Sequence, residues 1–253
     1  MNQPRPAIPA GIKREVRQRA GFGCVICGVP LIEYDHLEPW SEVQVHEASN
    51  IVALCTQHHR EKTNKLLTVA RIRRANTNPW NKRDGRTKPY ILHYGDDPIT
   101  VEFGTVTFHT FPVDRCVPLT VDGEEIVSWR VEDGVYLLSA RWFDSNGNLV
   151  FEITDNEVAV NAHSWDVEFV GNHLTIRSGS GKVQLDVLFD VPKRVVFRSG
   201  EFALGRHRVA IRSGALVING NSVYDMESRS PWGISVGRIP EGQMTLMSFD
   251  NPD

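Results

Sequence analysis

The chain has 253 residues, room for one large domain or two small ones, and its 41% hydrophobic and 23% charged residues are ordinary for a soluble globular protein. No stretch approaches the ~18 apolar residues of a membrane helix, and MNQPRPAIPAGIKREV has no apolar run after its basic residues. A membrane span and a secretory leader are therefore not expected, and a cytoplasmic setting is. The net charge of −3 hides an asymmetry: residues 1–90 hold 15 Lys+Arg against 8 Asp+Glu, and the remainder holds 13 against 23. A basic front half is the electrostatic footprint of a phosphate-rich partner, whereas an acidic back half is poorly suited to broad contact with one.

Along the chain, residues 1–11 carry three prolines and read as an extended tail. IKREVRQRA, residues 12–20, reads as a short basic helix, and GFGCVICGVP has the glycines and turn spacing of a zinc knuckle. A short strand is predicted around Tyr34 and Asp35, then a loop over 41–49. From Asn50 to about Arg74 the positions of Ile51, Leu54, His58, Leu66 and Leu67 predict helix. NTNPWNKRDGRTKP, residues 76–89, lacks apolar periodicity and reads as a basic linker or DNA-contacting arm, with a domain boundary near residue 90.

Beyond residue 95 the texture changes. Asp122-Gly123, Asp133-Gly134, Asn146-Gly147 and Asn219-Gly220 are hairpin-type dipeptides. Between them lie segments rich in β-branched and aromatic residues, such as VYLLSARWF, NLVFEIT and VQLDVLF. The expected class is α+β overall: residues 1–90 a small mixed domain, residues 91–253 an all-β domain, either a sandwich or a short solenoid. An unequal echo, IRSG at Ile176, FRSG at Phe197 and IRSG at Ile211, reads as strand ends followed by turns. The sharper alternative places Arg177, Arg198 and Arg212 in one anion-binding row.

The cysteines are Cys24, Cys27, Cys55 and Cys116. Cys24-x2-Cys27 and Cys55-x2-His58 are two closely spaced pairs separated by 27 residues. Zinc takes four such donors in a tetrahedron, and a two-residue gap lets both members of a pair turn onto one ion. The predicted site is closed and structural, and in a module with little core the ion would supply much of the stability. Cys116 stands apart as a small buried hydrophobe.

Around these ligands lie Asp35 and His36 in YDHLEPW, and Asn50 and His59 in NIVALCTQHHREKT. Histidine suits a base near neutral pH. Asp and His suit a hard or borderline divalent ion, leaving Mg²⁺, Mn²⁺ and Ni²⁺ open. Consecutive strand residues face opposite ways, so Asp35 and His36 reach one phosphate only if the strand ends or bends there. Lys62 and Lys65, with Arg60, share the predicted helix, and Arg71, Arg73 and Arg74 continue the basic run, facing phosphates or solvent. Histidines 46, 93, 109, 163, 173 and 207 have no motif around them and are expected to be ordinary.

Taken together, Cys24-x2-Cys27, Asp35-His36-x2-Pro39 and Asn50-Ile51-x2-Leu54-Cys55-x2-His58-His59-x2-Lys62-Thr63 resemble the HNH endonucleases, especially zinc-containing phage proteins and McrA-like restriction nucleases. The resemblance spans roughly residues 20–70. It implies a ββα-metal fold around one divalent ion such as Mg²⁺. It also implies roles: His36 as general base, Asp35 and His59 as ligands of the catalytic ion, and Asn50 as the brace of the loop carrying the base, a residue that in some members contacts the metal. Many members end in Cys-x2-Cys-His where this chain has Cys55-x2-His58-His59. By register His58 goes to the structural zinc and His59 to catalysis, with the exchanged assignment open.

The expected activity is metal-dependent hydrolysis of DNA phosphodiesters, in phage defence, restriction or phage DNA processing. The alternative is a zinc-stabilised DNA-binding module without cleavage. The acidic β half is expected either to sense a ligand or protein partner and restrain the nuclease, or to provide recognition or a homodimer face.

Overall fold

The computed structural model describes residues 6–110, 113–239 and 242–249. These fall into two compact units, one of residues 1–89 with 161–169, the other of 90–160 with 170–253. Of the expected tail, residues 1–5 lie outside the described residues, and Pro6–Pro9 precede a helix that starts at Ala10.

In the first unit, helix α1 (Ala10–Ala20) buries Val16, Arg17 and Ala20 and ends at Gly21, whose φ of 68° closes the last turn in the left-handed conformation. Strand β1 (Glu33–His36) pairs antiparallel with β2 (Ile51–Leu54), with Asp35 opposite Val52 and His36 opposite Ile51. Between them lie one helical turn, α2 (Trp40–Val43), and a 3₁₀ turn at Ala48–Asn50, in place of the loop expected over 41–49. Helix α3 (Thr56–Thr63) follows β2 directly.

The helix expected from Asn50 to Arg74 is thus three elements. Ile51–Leu54 is a strand whose four residues are all buried. A short apolar run buried on both faces has no period of its own, and Ile51 and Leu54 fit a helical spacing by accident. The helix also breaks after Thr63. Lys65 has a φ of 60°, and α4 (Val69–Thr77) starts afresh where the Thr68 hydroxyl accepts from the Arg71 amide at 3.3 Å.

Residues 76–89 are not a linker. They contain α5 (Trp80–Asp84), introduced by Pro79 and closed by Gly85 at φ 82°. Asn81 is fully buried and donates to the Gly21 carbonyl at 2.7 Å, and Lys88 N donates to the Gly28 carbonyl at 3.0 Å. A Cβ on Gly28 would lie 2.3 Å from the Trp80 ring and its φ is 81°, so only glycine fits under this helix.

Residues 161–169 complete the unit. The Arg17 guanidinium donates to both oxygens of Asp166 (2.9 and 2.8 Å), to Tyr34 Oη (2.7 Å) and to Glu168 (3.2 Å). Burial works against the Arg17 charge, but the hydrogen bonds to Asp166 and Tyr34 outweigh it and hold the guanidinium more basic than usual. Gln18 donates to the Trp165 carbonyl and Lys82 to that of Ala162.

The second unit is β-rich. One sheet runs, edge to edge, Met247–Phe249, Trp232–Val236, Arg115–Val121, Glu124–Glu132, Val135–Phe143, Leu149–Thr154, Glu157–Val160, Tyr90–Ile91. Another contains the antiparallel run from His173–Gly179 to Asn221–Val223, together with Thr100–Phe103, Val106–His109 and Glu227–Ser228. Asp122-Gly123, Asp133-Gly134 and Asn219-Gly220 have positive φ at both residues (52° and 85°, 50° and 79°, 49° and 85°), the geometry that twists a two-residue hairpin correctly. Side chains of the two sheets meet at Trp142, whose ring stacks on Phe197 at 5.8 Å and whose Nε1 donates to the Gln184 carbonyl at 2.9 Å. Cys116 is buried, which pushes its thiol up to about 12. The arginine row does not stand as an anion site, because Arg212 is ion-paired with Glu201 and Arg198 lies 3.7 Å from Asp186.

Candidate active site and zinc centre

The knuckle turn from Cys24 to Val29 is built by backbone bonds. Gly28 N donates to the Cys24 carbonyl at 2.8 Å and Cys24 N to Val29 at 2.9 Å, turning both thiols inward. Val25 N donates to Ala53 O of β2 at 3.1 Å, tying the knuckle to the strand that leads into Cys55. The first turn of α3 then presents His58. Ligand atoms of Cys24, Cys27, Cys55 and His58 all lie within 4.8 Å of one another, with His58 Nδ1 at 3.1 Å from Cys55 Sγ and 3.4 Å from Cys24 Sγ. Three sulfurs and one imidazole converging on a point are the donor set zinc prefers, so these residues fit the ion. The Cys24 hydrogen bond holds the Cys27 thiol well below its usual range, toward the thiolate a metal needs. Among the described residues no other group of this kind forms.

One turn face further on, α3 and β1 form a second, polar cluster. His59 Nε2 lies 3.6 Å from Asp35 Oδ1, while its Nδ1 is hydrogen-bonded to Glu33 Oε2. Thr56 Oγ1 donates to the other Glu33 oxygen at 3.1 Å. Lys62 Nζ lies 2.5 Å from Asp35 Oδ2 and also donates to the His36 carbonyl, so it pins the end of β1. Lys62, expected to face phosphate or solvent, has a side chain 17% exposed and belongs to this cluster.

Residues 24–65 match the family model of the HNH endonucleases. No curated protein and no solved structure matches the chain. The match places the HNH segment with nucleases, and both the zinc group and the polar cluster lie inside it.

The HNH segment brings Asp35 and His59 together across the β1–α3 junction. His36, the last residue of β1, takes the other face: it is 4% exposed, and its Nε2 contacts His46 Nδ1 at 3.2 Å. Asn50 engages the Glu38 peptide with both ends of its amide, accepting from Glu38 N at 2.9 Å and donating to Glu38 O at 3.3 Å. Asn50 O also accepts from Leu37 N at 2.8 Å, so the turn just after His36 is clamped.

Lys65, Arg71, Arg73 and Arg74 are exposed on α4 and the turn before it, with Arg73 at 3.0 Å from Glu38. One residue of the cluster, Glu33, lies outside the motif, and Lys62 lies within it. Glu33 was readable from strand alternation, since positions 33 and 35 of one strand share a face. Lys62 follows His59 by three residues, the spacing that aligns side chains on a helix.

Proposed function

We propose that the HNH segment is the catalytic centre of a metal-dependent DNA endonuclease with a ββα-metal arrangement of β1, β2 and α3. The observation that carries the reading is the approach of His59 Nε2 to Asp35 beside the zinc group. A histidine that ligates a metal usually holds a carboxylate through its other ring nitrogen, which fixes its tautomer. The Glu33–His59 bond supports that role, since it leaves Nε2 toward Asp35. Oxygen and imidazole donors fit a hard or borderline divalent ion such as Mg²⁺.

When bound there, the ion supplies positive charge at the leaving oxygen. The chain's own groups do the rest. His36 takes a proton from water as general base, Asn50 clamps the turn that holds His36, and Lys62 fixes the strand end. Lys65, Arg71, Arg73 and Arg74 meet the DNA backbone, where their charge releases counterions. The second unit is read as a sandwich, because Trp142 and Phe197 join its sheets. It serves as a sensor for a ligand or protein partner, or as a specificity or homodimer domain, in phage defence, restriction or phage DNA processing.

Plasmid nicking with Mg²⁺ or Mn²⁺ tests the core of this. Wild type nicks only with added divalent ion, and His36→Ala and His59→Ala each lose about 10²–10⁴-fold, the usual worth of a positioned acid or base. Absence of metal-dependent nicking on every DNA tried refutes the enzyme. A second reading, a zinc-stabilised DNA binder without cleavage, draws on Lys62 engaging an Asp35 oxygen that an ion would take. Retained duplex binding with no nicking in any metal selects it.

A further inference from the structure

His46 lies in the turn between α2 and the Ala48–Asn50 3₁₀ turn, ten residues from His36, and no motif marks it. Its ring bridges two groups. His46 Nδ1 contacts His36 Nε2 at 3.2 Å, and His46 Nε2 lies 2.9 Å from the Pro6 carbonyl oxygen. Trp40 packs on the His46 ring at 4.4 Å with planes 30° apart and meets the His36 ring edge-on at 5.7 Å. Both imidazoles are therefore held in fixed planes by one indole.

The chemistry of the bridge has a direction. A carbonyl oxygen only accepts, so the nitrogen facing Pro6 must carry hydrogen. In neutral His46 that leaves Nδ1 as an acceptor. The hydrogen in the His46–His36 contact then belongs to His36 Nε2, which places the basic lone pair of His36 on Nδ1.

We infer that His46 is a positioning residue, which selects the Nε2–H tautomer of His36 through the Pro6–His46–His36 hydrogen-bond chain. The inference rests on the nuclease reading for its consequence, since the tautomer decides which nitrogen takes the proton from water. It does not rest on that reading for its structural content. The Glu33–His59 bond sets the tautomer of the other candidate histidine by the same logic, with a carboxylate in place of the carbonyl.

Two measurements on the full-length, zinc-loaded chain separate the tautomer from the nuclease. The first is long-range ¹H–¹⁵N correlation of the imidazoles, with His36 identified by the signals missing in His36→Ala. Wild type shows one protonated nitrogen, Nε2, and an unprotonated Nδ1; His46→Leu shows a mixture of tautomers. His46→Asn, whose amide oxygen takes the place of Nδ1 as acceptor for the His36 N–H, restores the single tautomer. A His36 ring protonated on Nδ1 in wild type overturns the inference whether or not the protein cuts DNA.

The second measurement is the nicking assay. His46→Leu lowers kcat about 10–100-fold with little change in KM, the scale seen when an outer-shell partner is removed, and His46→Asn recovers most of the loss. Equal losses in the Leu and Asn variants, at unchanged zinc content and circular dichroism, also overturn it. If wild type does not nick, the nuclease reading fails and the spectra alone decide the role of His46.

Discussion

The two units are held together by different means. The first buries few large side chains and relies on specific polar groups: the Cys24, Cys27, Cys55 and His58 group that could bind zinc, the buried Arg17–Asp166 pair and the Asn81 amide under the Gly21 turn. The second is an apolar interior around Trp142, Phe197, Phe103 and Trp129, bounded by tight hairpins. Apolar burial is tolerant because it is non-directional, whereas polar bonds in a small core fail when one partner goes. The contrast suits the sites they hold. A four-donor group and a polar cluster need their side chains placed to fractions of an ångström, and directional bonds do that better than packing alone.

Removing zinc is the largest expected break. Structural zinc is worth on the order of 10 kcal/mol in small zinc domains. Chelation, or Cys55→Ser, is expected to abolish amide-exchange protection in residues 10–89 and also in 161–169, while the Glu124–Glu132 and Val135–Phe143 hairpin stays protected. Protection retained at 161–169 would show that this segment does not depend on the zinc-held unit. Next is Arg17→Leu, which leaves the buried Asp166 carboxylate without its partner at a cost of about 3–5 kcal/mol. The denaturation midpoint of the first unit falls, and adding Asp166→Leu recovers much of the loss. Recovery failing in the double variant would mean the pair matters through packing rather than charge.

In the second unit, Phe197→Ala is expected to cost a similar amount, about 3–5 kcal/mol, by opening a cavity between Phe103 and Trp142. Its effect is expected in the second unit's unfolding transition and not in zinc content. The smallest effect is Gly134→Ala. A Cβ there meets nothing within 4 Å, so only the φ of 79° is penalised, at about 1–2 kcal/mol. A larger loss, read by thermal denaturation, would mean this hairpin contributes more than its turn.

How much of this could be read from the chain depends on how far apart the partners lie. The group that could bind zinc was legible, because Cys24-x2-Cys27 and Cys55-x2-His58 each turn onto one point through local geometry. Asp133-Gly134 and its relatives were legible for the same reason. β2 was misread because Ile51–Leu54 is too short to show a period, and α5 because Asn81 and Thr87 are buried polar residues that look like surface. Glu33 lies beside the motif but outside it, and Lys62 lies inside it with nothing local to show that it turns onto Asp35.

By itself, then, the sequence determined the Cys24, Cys27, Cys55 and His58 group that could bind zinc, the hairpin turns, the β texture of the back half and the HNH pattern within residues 24–65. Only tertiary structure decided that residues 161–169 join the first unit through Asp166 and Arg17. It also decided that Lys62 turns onto Asp35 and that His46 reaches His36. Each local feature is set by bonds within a few residues, which composition and spacing encode. Each of the others is a meeting of side chains between separate elements, and no period or spacing records where a folded chain returns to itself.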